Sequence, residues 1–243
     1  MLWLVAPLGV LIGIVGFGAI YQVLATRRDR QKFLPPGKLI EINGKNWHYQ
    51  MMGEGHPTVI VDSGTGGTHL DWQLVQPEVA KFTRILTYDR AGYGWSDINS
   101  EPRTAEQVVS ELRQLLKKAE IEPPYVLVGM SLGGLFSRLF AYCYPEEVAA
   151  MVLVDVAHER MYEETPVEWV ELNQRLEKLL TYLVPIMGKI GLLRLLITFD
   201  SLPMAAGLFQ KFPSSLRSLA KALYSQTQFG KLLLKNRLRF QSA

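Results

Sequence analysis

From Met1 to Thr26 no side chain is charged, and Leu, Ile, Val, Gly and aromatic residues follow one another without any polar alternation. About 20 apolar residues in a helix are enough to cross the hydrocarbon of a bilayer, so residues 1–26 predict a transmembrane anchor. The pattern then breaks at Arg27-Arg28-Asp29-Arg30-Gln31-Lys32, and with Pro35-Pro36-Gly37 this makes residues 27–37 a basic linker. A cleaved signal peptide competes with the anchor, but such peptides usually begin with Lys or Arg and end at a small-residue cleavage site. Neither feature is clear here. With its cations on the far side of the apolar run, the chain is expected to be a single-pass membrane protein with its body on the cytoplasmic side.

Beyond the linker the apolar positions take on a strand period. Lys38–Ile42 and Trp47–Met52 flank Asn43-Gly44, a dipeptide that tolerates positive φ at both positions and so predicts a hairpin. Thr58–Val61, between Pro57 and Gly64, reads as a buried strand. The pattern then alternates. Leu70–Phe82 has helical spacing, Arg84–Tyr88 reads as a strand, and Thr104-Ala105-Glu106-Gln107 is a capping box opening a helix with Val108, Leu112, Leu115 and Leu116 on one face. Tyr125–Val128 and Met151–Val154 are short apolar strands on either side of a helix from about Leu132 to Tyr144. Strands alternating with helices predict an α/β fold, its sheet mostly parallel and covered by helices on both faces. From Met161 onward only helical spacing is readable, as in Leu176, Leu179, Leu180 and Leu183.

Composition fits this plan: 243 residues, 48% hydrophobic and 20% charged, are globular values for one large domain. The formal charge of +3 is unevenly placed. No Asp or Glu follows Asp200, while Lys211, Arg217, Lys221, Lys231, Lys235, Arg237 and Arg239 do. That stretch is +7, and the remaining 19 cations and 23 acids give −4. Beside a membrane anchor such a segment can touch anionic lipid; a solvated helix face is the plainer reading. Nothing points to nucleic acid. The single Cys143 excludes an internal disulfide and is expected to be a small buried residue on its helix.

Candidate chemistry centres on Gly129-Met130-Ser131-Leu132-Gly133. A serine hydroxyl is a weak nucleophile unless a base takes its proton and donors hold the oxyanion that forms. Ser131 falls where a strand passes into a helix, with Gly129 and Gly133 at the two positions where a side chain would obstruct a sharp turn. Two more segments follow the same theme: Asp89-Arg90-Ala91-Gly92-Tyr93-Gly94-Trp95-Ser96 and Val61-Asp62-Ser63-Gly64-Thr65-Gly66-Gly67.

Taken in order, the three segments resemble the serine-nucleophile α/β-hydrolase superfamily over roughly Lys38–Val156. The first is similar to its nucleophile elbow, the second to its Asp-x-x-Gly-x-Gly-x-Ser loop and the third to its oxyanion loop, with Ser63 where many members have His. The resemblance implies an α/β-hydrolase core over residues 38–159, with a helical cap over 160–243 after the sixth strand. It makes Ser131 the nucleophile and the backbone N–H groups of Thr65 and Leu132 the oxyanion donors. The implied activity is hydrolysis of ester-like or other acyl substrates, small molecules of lipophilic character if the apolar stretch Leu183–Phe199 lines the site. No cofactor is called for, and no His, Cys, Asp and Glu group has metal-ligand spacing along the sequence.

In this family the acid and histidine follow the nucleophile. Here His48, His56 and His69 precede it and only His158 comes after. Two readings stay open. Asp155 and His158 substitute as acid and base, three residues apart. Otherwise the chain stops inside the cap, before the last core strands and the usual histidine, and is a catalytically impaired relative or a membrane-tethered binding module. In that case the strand Met151–Val154 is expected to be a sheet edge.

Overall fold

The structure, a computed structural model, describes residues 2–99, 103–156, 165–201, 207 and 209–226. The chain divides into two compact units, Met1–Leu34 with Gln174–Leu234 in one and Pro35–Asn173 with Lys235–Ala243 in the other.

The second unit holds the sheet. Strands β1 (Lys38–Ile42), β2 (Lys45–Met52), β3 (Thr58–Asp62), β4 (Ile85–Tyr88), β5 (Tyr125–Met130) and β6 (Val148–Val154) lie in the order β1-β2-β4-β3-β5-β6. The β1–β2 and β2–β4 pairs are antiparallel, and β3–β4, β3–β5 and β5–β6 are parallel. The hairpin expected at Asn43-Gly44 is present, with φ of 52° and 72°. β3 and β4 are buried along their whole length, because both faces of a central parallel sheet are covered and alternation has no use there.

Two core clusters lie in this unit. In the larger, Val108, Leu112, Leu115 and Leu116 of α3 (Ala105–Lys118) and Phe136 and Phe140 of α4 (Leu132–Cys143) pack with Ile60, Leu86 and Leu127 of the sheet. The smaller joins Val59, Val61 and Ile85 to Trp72. Thr104 caps α3 through the N–H of Gln107 at 3.2 Å, but the Gln107 side chain donates to Glu111 at 3.2 Å, so half of the expected capping box forms.

Other expectations are corrected. Leu70–Phe82 is not one helix: Thr68 caps a single 3-10 turn, His69–Trp72, and α2 is only Gln76–Val79. Pro77, with no N–H to donate, suits the first turn of a new helix and not the interior of a longer one. Cys143 is exposed on the last turn of α4. Among the described residues β6 lies at the edge of the sheet: no strand pairs with its outer side, and Met151, Val152, Leu153 and Val154 are all exposed.

In the first unit α1 runs from Leu2 to Lys32. The basic cluster expected to open the linker therefore belongs to the helix, since Arg, Gln and Lys are good helix formers. Its companions are α5 (Val167–Lys189) from Gln174 onward, α6 (Leu192–Thr198) and α7 (Ser214–Tyr224). Gln22, Thr26 and Asp29, on one face of α1, receive the Arg194 guanidinium of α6: Nε donates to Gln22 at 2.8 Å, one terminal nitrogen to Asp29 at 2.5 Å and the other to Thr26 at 3.2 Å. The Gln22 amide in turn donates to the carbonyl of Ser225 at 2.8 Å, just past α7. Among the described residues no single helix is long and apolar enough to cross a membrane, the side chains of residues 2–6, 8 and 11 falling outside that description. Val167–Lys189 and Leu192–Thr198 would qualify only together, bent by 87° at the break between them.

Candidate active site

Ser131 stands between β5 and α4 with φ 50° and ψ −118°, a conformation a β-carbon strongly disfavours. Its surroundings hold it there. The Ser131 N–H donates to the Val154 carbonyl of β6 at 3.1 Å, and the Ser131 carbonyl accepts from Gly134 at 3.1 Å. The neighbouring glycines are needed for space. A β-carbon on Gly129 would strike the backbone of Gly133 and Gly134, one on Gly133 the carbonyls of Asp62 and Ser63, and one on Gly134 the side chain of Val156. Leu132 opens α4, so its N–H is one of the four that a helix start leaves without an intrahelical partner.

Against this elbow lies the loop after β3. A β-carbon built on Gly64 would be 3.3 Å from the β-carbon of Ser131, so glycine allows the closest approach of the two segments. Ser63 is buried and ties the loop down, donating to the Thr68 carbonyl and accepting from the Trp72 indole, both at 2.9 Å. The other clamp is Arg90, which sequence reasoning did not single out. One of its terminal nitrogens donates to Asp62 at 2.5 Å and to the Ser63 carbonyl at 2.6 Å, the other to the Gly64 carbonyl at 2.5 Å. A trans peptide points its N–H opposite to its carbonyl. With the Gly64 carbonyl held by Arg90, the Thr65 N–H is turned away from Arg90. Burial pushes the Asp62 carboxyl above its ordinary range even with Arg90 beside it, while Asp62 outweighs burial at Arg90 and holds that guanidinium firmly charged.

The loop after β4 is organised by Asp89. Its carboxylate accepts from the N–H of His69 at 2.8 Å and of Trp95 at 3.1 Å, and meets Nδ1 of His48 at 2.7 Å and Nδ1 of His69 at 3.0 Å. The other ring nitrogen of His48 contacts the Pro36 carbonyl. A side chain on Gly94 would collide with this carboxylate, and Ser96 donates to the Asp89 carbonyl at 2.6 Å, which accounts for the glycine and serine of the motif. Burial alone would raise the Asp89 carboxyl, but His69 and His48 outweigh it and hold it well below the usual carboxylate range.

His48, His69 and Asp89 thus form a buried group whose ligand-capable atoms lie within 4.8 Å of one another. Their positions along the sequence gave no metal-like spacing; the fold assembles them. Because the carboxylate already receives two backbone N–H groups, ligation of a cation would have to replace the imidazole contacts. The arrangement acts as a hydrogen-bonded brace between β2, the Thr68 turn and the β4 loop, with Nε2 of His69 buried and left without a hydrogen-bond partner among the described residues.

Of the expected site residues, the structure brings together Ser131, Leu132, Gly129, Gly133 and the segment carrying Thr65. Asp155 directly follows Val154, whose carbonyl holds the Ser131 N–H, so it lies at the same end of the sheet, exposed and with φ 44°. His158 lies outside the described residues. His48 and His69 are occupied at Asp89, and His56 is exposed. Among the described residues no histidine is hydrogen-bonded to Ser131.

An open, mostly parallel sheet with a strand–turn–helix elbow facing a glycine loop defines the class of protein. Residues 57–230 match the family model for the alpha/beta hydrolase fold, and the chain belongs to that family. Among curated relatives it is 26% identical over 145 residues to the uncharacterized protein YbdG of Bacillus subtilis, covering 59% of this chain and 45% of that one. To an uncharacterized vacuolar membrane protein of Saccharomyces cerevisiae it is 36% identical over 109 residues, 43% of this chain and 17% of the other. The chain thus spans less than half the length of these relatives. Among solved structures, MGS-M2, an alpha/beta hydrolase from a Medee basin deep-sea metagenome library, matches with a TM-score of 0.59 at 19% identity, covering 82% of this chain and 70% of that one. This last likeness is one of fold.

Proposed function

We propose that the chain is a membrane-anchored serine hydrolase acting on ester-like or other acyl substrates, with the helical region after residue 160 as a cap. The observation that carries this reading is the backbone of Ser131, held at positive φ beside Gly64 and at the start of α4. In such a site the Oγ of Ser131 adds to the carbonyl carbon and its proton passes to a base. The carbonyl oxygen becomes an oxyanion facing the N–H groups of Leu132 and Thr65. Both are backbone donors, so the replacement of the family's usual histidine by Ser63 leaves them in place. Removing one such donor in hydrolases of this kind costs about 100- to 1,000-fold in rate, which measures what the Arg90 clamp on the loop protects. The uncharged run 1–26 with cations after it supports anchoring from the cytoplasmic side, and the yeast vacuolar membrane relative is consistent with a membrane location.

A second reading stands beside it: His48 and His69 are held at Asp89 and His56 is exposed, so the first reading depends on His158, which lies outside the described residues. In that reading the chain keeps the fold and nucleophile position but is catalytically impaired, or serves as a membrane-tethered binding module. A fluorophosphonate probe, which reports an activated serine by covalent labelling, separates the two. Wild-type chain in membranes is expected to label and Ser131→Ala is expected not to; an unlabelled wild type would leave the second reading standing. If His158 is the base, His158→Ala slows labelling by several orders of magnitude, about 1,000-fold or more.

A further inference from the structure

The first unit carries a feature that a single-pass anchor does not require. α5 and α6 meet at Ile190–Gly191 in an 87° bend, and that bend is seated on the middle of α1. A β-carbon on Gly18 would strike the Ile190 carbonyl, and one on Gly191, whose φ is 75°, would lie 2.9 Å from the Gly18 carbonyl. Gly18, Gln22, Thr26 and Asp29 are spaced by 4, 4 and 3 residues, which puts them on one face of α1. Gly18 receives the bend and the other three hold Arg194 of α6. The α5–α6 elbow is thereby fixed at a definite level along α1.

That level can be read from helix geometry. Gly18 precedes Arg27, the first cation, by 27 − 18 = 9 residues, or about 13 Å at 1.5 Å per residue. The hydrocarbon of a bilayer is about 30 Å thick, so a site about 13 Å from the first charge of a spanning helix lies in the near leaflet's acyl region. The side chains around the bend suit that depth. Tyr182, Leu183 and Ile186 of α5, and Leu192, Leu195 and Phe199 at α6, are exposed. From Leu179 to Phe199 the sequence carries two charges, Lys189 and Arg194. Arg194 is buried and neutralised by Asp29, with further donors on Gln22 and Thr26; Asp29 stands two residues beyond Arg27, so the pair lies at the headgroup boundary, where a paired and hydrogen-bonded charge is tolerated. Lys189 is exposed, and its four-carbon stem lets the ammonium reach toward the headgroups.

We infer that the α5–α6 pair enters the bilayer beside α1 as a re-entrant hairpin, its exposed apolar side chains facing lipid acyl chains. The inference rests on α1 being a membrane anchor, as proposed above. It makes the membrane contact of this chain a three-helix contact and gives the Arg194 clamp its purpose: a guanidinium whose partners all come from the anchor fixes the hairpin's depth.

The test uses the full chain, with Cys143→Ser as background, reconstituted into phosphatidylcholine vesicles. Single cysteines at Ile186, at Leu192 and, as the anchor control, at Val15 are labelled with an environment-sensitive fluorophore. All three positions are exposed, so the label perturbs no core contact. Lipids with a doxyl quencher in the acyl chain are expected to reduce the emission of all three labels about twofold or more, as they do for groups inside the hydrocarbon. If Val15 is quenched while labels at Ile186 and Leu192 answer only to aqueous iodide, the hairpin inference is overturned and the anchor stands. Iodide access at all three positions overturns both.

Discussion

The side chain that best repays mutation is Arg90. Its guanidinium contacts Asp62 and the carbonyls of Ser63 and Gly64, and its partner Asp62 is buried with it. Removing one member of a buried ion pair leaves an uncompensated charge, at a cost of about 3–5 kcal/mol. Arg90→Met is expected to lose stability of that order in a thermal or denaturant titration. Arg90→Met with Asp62→Leu is expected to lose less, since no buried charge is left over. In whatever fraction of either variant folds, the Ser63–Thr65 loop has lost its clamp, so fluorophosphonate labelling of Ser131 should slow. Full-rate labelling would show that the loop keeps its shape without Arg90. The signal for this role was present in the sequence, in an Arg directly after the motif Asp89 and an Asp two residues before the oxyanion glycine. Only the fold shows that the two meet.

Among the elements, what the sequence made legible was decided by local chemistry. α3 could be read because Thr104 caps it and its apolar residues fall on one face; β3 could be read because its apolar run is bounded by Pro57 and Gly64. The elbow was readable only in part for the same reason: Gly129 answers the nearby backbone of Gly133 and Gly134, whereas Gly133 answers the carbonyls of Asp62 and Ser63, far away along the chain. Leu70–Phe82 misled because its apolar spacing suits a helix equally well when the chain is broken into two short turns that fill the same side of the sheet. Cys143 misled because a helix's last turn can leave the core even where its earlier turns do not. The brace of His48, His69 and Asp89 joins residues 20 and 41 positions apart, a separation no local pattern encodes. α1 outran its expected end because Asp29, within the basic cluster, is held by Arg194, 165 residues away. Replacing that arginine tests the long-range contact directly. Arg194→Ala leaves Gln22 and Asp29 without their guanidinium, and because Asp29 keeps some solvent access the expected loss is about 2–3 kcal/mol. The measurement is thermal unfolding in detergent, and an unchanged midpoint would show that α1 and α6 do not depend on the clamp.

For the whole molecule, the raised carboxyls of Asp62 and Asp71 oppose the contribution to pH-dependent stability that comes from Asp89. The folded Asp89 carboxyl sits well below the unfolded value of about 3.9. Between the two values the unfolded chain binds the extra proton, so the Asp89 contribution rises with pH there and is fully present above the unfolded value. Acidification from about pH 5 downward should therefore remove that contribution progressively. Asp89→Asn, which has no proton to bind, is expected to start less stable at neutral pH and to show a flatter acid limb in denaturant titrations. An acid limb as steep as that of the wild type would place the titrating group elsewhere.

The conformation of Ser131 carries a different consequence, for the trade between stability and activity. A non-glycine residue held at positive φ and ψ −118° costs of order 1–3 kcal/mol, which the rest of the fold must supply. Glycine adopts the same angles almost freely. Ser131→Gly should therefore raise the unfolding temperature while abolishing probe labelling, a gain that Ser131→Ala, with its β-carbon intact, should not match. A more stable sequence is one codon change away at the elbow, and it is the sequence without the hydroxyl.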